Sequence, residues 1–280
     1  MPFITSRADG AAINIYYERM GTGKPVVFIH GWPLSGSMWE YQMTELPQHG
    51  MDCIFYDRRG FGKSDRPARG YDYDTMAGDL HALLESLDIT GVTLVGFSMG
   101  GGEVARYISR YGQERIERVV LISTVLPLLL KTDDNPNGVA QIEFDAMAKK
   151  MKDDRPAFMN DFAKSFYGVS LLNQPVSDAF LTAHLIRVMD ASTVATLACA
   201  GAFATTDFRE DVRKIKVPAL IIHGDDDQVV PIETTSRETA RLIDDSEFII
   251  YEGAPHGLWY TERKKLNDDL IRFISGNHHR

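Results

Sequence analysis

The chain has 280 residues, of which 44% are hydrophobic and 25% charged, with a formal net charge of −9. That length suits one large domain or a core with one insertion, and the composition is that of an ordinary soluble globular protein. The acidic balance, with no basic stripe, argues against a nucleic-acid partner, and no apolar run approaches the ~20 residues of a membrane span.

Met1-Pro2-Phe3-Ile4-Thr5 has no basic segment followed by an apolar stretch, so no secretory signal is expected. Short β-branched runs then alternate with amphipathic stretches. Residues 13–17 and 26–30 predict strands, 37–48 a helix, 53–56 a strand, 75–87 a helix, 92–97 a strand, 101–111 a helix and 119–122 a strand. Several runs are apolar on consecutive positions, as in parallel strands buried on both faces. Cys53 falls in a strand pattern and Cys199 in an Ala-rich helical one. Both are expected as buried free thiols, which fits a reducing, cytoplasmic setting.

The regularity breaks between 127 and 206. That stretch has no strand-like run, is punctuated by Pro136, Pro156 and Pro175, and carries many large apolar groups, including Phe144, Met147, Phe162, Phe166 and Phe203. It predicts a helical cap inserted into an α/β core of residues 1–126 and 207–280. Most of its aromatics serve helix packing, and a minority line an apolar pocket. The alternation resumes with strands at 219–223 and 248–251 and helices at 234–243 and 262–274. The whole reads as an α/β protein with a mainly parallel sheet, whose sites gather at the carboxyl ends of the strands.

Gly96-Phe97-Ser98-Met99-Gly100 ends one predicted strand and opens a helix. A serine on such a turn is held exposed in an unfavourable backbone geometry, and flanking glycines remove the Cβ atoms that would clash. A serine nucleophile needs a base, and the base an orienting acid, both expected after later strands. His256, in Pro255-His256-Gly257 between a strand and a helix, is the base candidate. His278 and His279 sit in the last three residues, where chain ends are usually mobile. The acid comes from Asp225, Asp226 and Asp227 at the end of another strand, which physics alone does not separate. Met99 N–H, at a helix start, and Trp32 N–H, in the loop His30-Gly31-Trp32-Pro33, are the expected oxyanion donors, since Pro33 has no N–H.

With these residues in place, the chain resembles the α/β-hydrolase fold, and within it the cofactor-free bacterial haloperoxidase, perhydrolase and aryl-esterase family. The likeness rests on residues 28–35, Tyr56-Asp57-Arg58-Arg59-Gly60-Phe61-Gly62-Lys63-Ser64, residues 96–102, His223-Gly224-Asp225-Asp226-Asp227-Gln228-Val229-Val230-Pro231 and Pro255-His256-Gly257-Leu258. It implies a mainly parallel eight-stranded sheet flanked by helices. It also implies that Asp227 is the acid and that Val229 and Ile232 belong to the pocket, with Phe203 added from the cap. In that family the residues from Asp57 to Ser64 form a structural turn. Proline at position 33 goes with its haloperoxidase and perhydrolase members. Because the residue before a proline is biased toward extended backbone, Pro33 is expected to aim the Trp32 carbonyl at a bound peroxide.

The implied activity is hydrolysis of small carboxylic esters through an acyl-serine. When hydrogen peroxide replaces water, the product is a peracid that oxidises halide in solution. No cofactor is implied, and no cluster has metal-ligand spacing. Relatives often form homo-oligomers. Lactonases and carbon–carbon bond hydrolases share the triad, and a non-catalytic ligand receptor could keep the fold. Dehalogenases and epoxide hydrolases need an aspartate where Ser98 stands. A dinucleotide-binding reading fails because no Gly-x-Gly-x-x-Gly follows a strand.

Overall fold

The computed structural model describes residues 2–276, so His278 and His279 lie outside the described residues. Eight strands form one sheet: β1 (Phe3–Ser6), β2 (Ile13–Gly21), β3 (Lys24–Ile29), β4 (Met51–Tyr56), β5 (Val92–Phe97), β6 (Ile116–Ile122), β7 (Ala219–Gly224) and β8 (Ser246–Tyr251). Their order is β1-β2-β4-β3-β5-β6-β7-β8. Only β1 with β2 and β2 with β4 run antiparallel; the other neighbours are parallel. Strands β4, β5 and β7 are buried at every residue, which is why they read as mostly apolar runs rather than alternating ones.

The sequence pattern gave no sign of β1. Its four residues alternate exposed and buried, so only Ile4 and Ser6 face inward, too few to make a periodic signal. The helix predicted at 37–48 is instead three single turns: a 3-10 turn at Gly36–Trp39, α1 (Glu40–Met43) and a second 3-10 turn at Leu46–His49. Pro47 enters that last turn, where its missing N–H and ring prevent a continuous helix.

Helices α2 (Tyr73–Ser86) and α3 (Met99–Tyr111) follow β4 and β5. Between β6 and β7 come α4 (Gln141–Asp153), α5 (Arg155–Phe166), α6 (Asp178–Met189), α7 (Thr193–Thr205) and α8 (Arg209–Arg213). The chain closes with α9 (Ser236–Leu242), α10 (Leu258–Thr261) and α11 (Arg263–Ser275). Asp72, Asp154, Ser177 and Ser192 cap α2, α5, α6 and α7 by accepting a backbone N–H, each fixing where its helix begins. Cys53 and Cys199 are free and buried, and burial pushes both thiols up to about 12. Among the described residues no single helix is long and apolar enough to cross a membrane.

Candidate active site

Strand β5 ends at Phe97, α3 begins at Met99, and Ser98 between them has φ 53° and ψ −119°. A non-glycine residue held there costs on the order of 1–3 kcal/mol, a strain the surrounding packing sustains. Gly100 makes the turn possible in a specific way. A Cβ on it would stand 2.5 Å from the Ile29 carbonyl oxygen, so only glycine lets the first turn of α3 lie against the end of β3. The Ser98 N–H donates to the Ile122 carbonyl at 2.9 Å, pinning the elbow to β6.

Ser98 Oγ lies 3.0 Å from His256 Nε2, and His256 Nδ1 lies 2.6 Å from Asp227 Oδ2. A carboxylate only accepts, so the ring proton sits on Nδ1 and Nε2 is free to accept from the serine hydroxyl. Asp227 is 8% exposed and accepts the N–H groups of Val229 and Val230 at 2.9 and 2.8 Å through Oδ1. Burial alone would raise its carboxyl. The electrostatic pull of the adjacent His256 ring and the hydrogen bonds from His223 and His256 outweigh it and hold Asp227 well below the usual carboxylate range. Its two neighbours do other work. Asp225 accepts the Gly253 N–H at 2.6 Å, Asp226 accepts from the Gln228 side chain at 2.9 Å, and both are exposed.

A second histidine touches the same carboxylate. His223 Nε2 is 3.1 Å from Asp227 Oδ2 and 3.0 Å from the Val230 carbonyl, and Nδ1 is 2.6 Å from Ser236 Oγ. Two acceptors around Nε2 put the proton there, so Nδ1 accepts from the Ser236 hydroxyl. In chain order His223 precedes the acid, so it falls outside the serine–acid–histidine order expected of the base. The readable signal was its place at the end of β7, four residues before Asp227.

The backbone N–H groups of Trp32 and Met99 hydrogen-bond to nothing among the described residues. Beneath the Trp32 loop lies a fully buried polar cluster. Arg58 Nε donates to Glu103 Oε2 at 2.7 Å, Arg58 Nη2 to the His30 carbonyl at 2.9 Å, and the Arg58 backbone N–H to His30 Nε2 at 3.0 Å. The Tyr56 hydroxyl also donates to Glu103. Burial opposes the charge on Arg58, but the Glu103 carboxylate beside it keeps the guanidinium protonated. Glu103 sits on the second turn of α3. Arg58 therefore ties the loop carrying Trp32 to the helix that Met99 opens.

Ser98 and His256 open into a cavity of about 240 Å³ whose apolar wall includes Trp32, Phe144, Met147, Phe162, Phe203 and Val229. Glu143, Ser165 and Gln228 supply its polar edge. Phe203 and Val229 thus stand where the sequence reading put them; Pro33 and Ile232 do not line the cavity. The Leu34 N–H donates to Gly31, a tight turn that carries Pro33 aside, and Pro33 follows Trp32 through a cis peptide bond. The Ile232 carbonyl accepts from the Thr235 and Arg237 N–H groups as the chain turns toward α9, and its side chain is buried away from the cavity wall. The Trp32 indole donates to the Thr196 carbonyl at 2.9 Å and lies edge-on to Phe162 and Phe203.

The segment between β6 and β7 also reaches the histidine from behind. The Gly257 N–H donates to the Phe166 carbonyl at 2.7 Å, and the Phe166 ring stands edge-on to His256 at 4.7 Å. Next to it, Tyr167 Oη and His184 Nδ1 share a buried hydrogen bond of 2.9 Å. Burial, with the Arg187 charge adding to it, pushes the His184 ring down to about 4.

The sheet order, the strained elbow and this spacing of serine, histidine and aspartate are those of an α/β hydrolase. Residues 24–262 match the family described as the alpha/beta hydrolase fold, and the chain belongs to it. Within it, the chain is 42% identical to a non-heme chloroperoxidase of Kitasatospora aureofaciens, over 98% of this chain and 100% of that protein. It is 39% identical to a bifunctional esterase/perhydrolase of Acinetobacter calcoaceticus, over 98% and 99%. The crystal structure of a bromoperoxidase from Bacillus anthracis matches with a TM-score of 0.93 at 47% identity, covering 98% of this chain and 99% of that one.

Proposed function

We propose that this protein is a serine hydrolase of small carboxylic esters that acts as a perhydrolase when hydrogen peroxide replaces water. The observation that carries the reading is the unbroken relay from Asp227 through His256 to Ser98, opening into a mostly apolar cavity. At about 240 Å³ that cavity falls below the roughly 300–1,000 Å³ of pockets for drug-sized ligands, which favours short acyl groups.

In the reaction His256 Nε2 takes the Ser98 proton as Oγ attacks the ester carbonyl. Asp227 holds the ring in place and stabilises the imidazolium. The N–H groups of Trp32 and Met99 receive the oxyanion, helped by the N-terminal dipole of α3. His256 gives its proton to the departing alcohol, leaving acyl-Ser98. Water, losing a proton to the same ring, then releases a carboxylic acid. Hydrogen peroxide entering at that step releases a peracid, and a peracid oxidising halide in solution accounts for haloperoxidase activity without haem or a halide site. The relatives named as chloroperoxidase and esterase/perhydrolase support both branches.

The test is Ser98→Ala, assayed with p-nitrophenyl acetate and with a fluorophosphonate probe. Turnover and labelling should both fall to background in a folded protein. Retained turnover would refute Ser98 as nucleophile, and an unlabelled, inactive wild type would leave a ligand receptor on the same fold.

A further inference from the structure

We infer that Met147 is an oxidation site of this protein, converted to its sulfoxide by the peracid that leaves Ser98 into the same cavity. The inference rests on the perhydrolase reading above and extends it to the protein's own fate during turnover. Of the 11 methionines in the sequence, Met147, on α4, is the one on that cavity's wall among the described residues. Met99, although next to Ser98 in the chain, is fully buried and is not part of the cavity wall. Met20, on β2, is 39% exposed to bulk solvent and lies outside the cavity.

A thioether is a soft two-electron nucleophile, and its sulfur is the most easily oxidised atom on a wall otherwise built of rings and aliphatic groups. Both thiols of the protein are buried elsewhere. Position then dominates exposure. One peracid molecule in about 240 Å³ corresponds to an effective concentration of roughly 7 M, far above any bulk concentration an assay contains.

The steps balance. Peroxide attacks acyl-Ser98, the carbonyl–Oγ bond breaks, and the peroxide proton passes through His256 to Ser98. The peracid formed then meets the Met147 sulfur. A sulfur lone pair takes the terminal oxygen, the O–O bond breaks, and the peracid proton ends on the carboxylic acid. Sulfur is oxidised by two electrons and the peroxide oxygen is reduced. The sulfoxide puts a strong dipole on an apolar wall, so activity declines with perhydrolytic turnovers and not with hydrolytic ones. A methionine sulfoxide reductase reverses the change.

The experiment runs the wild type with phenyl acetate and hydrogen peroxide, with and without excess free methionine as a bulk scavenger. Peracid is followed by halide-dependent bromination of a dye in the scavenger-free arm, and each methionine by peptide mass mapping in both. Met147 should gain one oxygen and lead Met20 by roughly tenfold, and the scavenger should protect Met20 while sparing Met147 little. Peroxide alone, or Ser98→Ala with both reagents, should remove that lead. In Met147→Leu the rate should decay more slowly per peracid formed, normalised to the variant's own initial rate. Peracid forming while Met147 stays reduced, or is protected as fully as Met20, would overturn the inference alone. If no peracid forms, the perhydrolase reading falls and the inference with it.

Discussion

Replacing Glu103 with glutamine leaves the Arg58 guanidinium charged in a place without water. The two side chains are 0% and 1% exposed and meet at 2.7 Å, with their charge centres about 4 Å apart. At an effective dielectric near 20, attraction across that distance amounts to about 4 kcal/mol, within the ~3–5 kcal/mol typical of removing one partner from a buried pair. For a chain of this size that corresponds to a fall in melting temperature of roughly 8–16 °C. Urea and thermal unfolding at neutral pH measure it directly. The double variant Arg58→Met/Glu103→Leu should cost less than the sum of its single variants by about 3 kcal/mol, because it removes both charges together. Activity adds a second readout: Arg58 also holds the His30 carbonyl and ring, so Glu103→Gln should lower kcat more than it alters KM. A cost under about 1 kcal/mol for Glu103→Gln, or strict additivity in the double variant, would refute the buried pair as the strut of the Trp32 loop.

His184 is held neutral, with its ring pushed down to about 4 against the ordinary value of 6.5. Its contribution to stability is therefore complete above pH 6.5 and is lost as pH falls toward 4. Between pH 7 and 5 that loss is about 2 kcal/mol, and His184→Gln should remove it from the urea midpoints; an unchanged pH slope would sink the assignment. Gly257→Ala would bring a methyl to 2.3 Å from the Tyr167 ring, at a cost of ~1–3 kcal/mol. Because His256 is the preceding residue, kcat for ester hydrolysis should drop as well, and normal kcat in a folded variant would count against that coupling. Pro33→Leu should lower perhydrolysis relative to hydrolysis, measured as acetate-dependent bromination against p-nitrophenyl acetate cleavage on one preparation. An equal ratio would remove Pro33 from the account.

The parallel strands were legible because burial on both faces leaves continuous β-branched runs, and the elbow because glycines and a serine at a strand end have few other uses. Helix 37–48 failed where its apolar period outweighed Pro47. Asp227 emerged from three adjacent aspartates through resemblance rather than physics. Its distinction is three-dimensional: Asp225 and Asp226 face the Gly253 N–H and Gln228, whereas Asp227 faces two imidazoles. The cavity wall was least legible. Phe144, Phe162 and Phe203 line it while Phe158, Phe166 and Phe180 do not, and nothing in their spacing separates the two sets. Pro33 sits next to Trp32 in the chain and Ile232 two residues from Val230, yet neither reaches the cavity wall.

The bond between Gly257 N–H and the Phe166 carbonyl makes α5 and the histidine loop one mechanical part. If α5 lifts to let a bulky ester in, it pulls on the backbone beside His256 and draws the imidazole off Ser98. An opened entrance thus disarms its own base, and proton transfer from the serine resumes once the helix is seated again. In the structure α5 is seated, and the bond that would transmit its movement stands one residue from the imidazole that meets Ser98 Oγ at 3.0 Å.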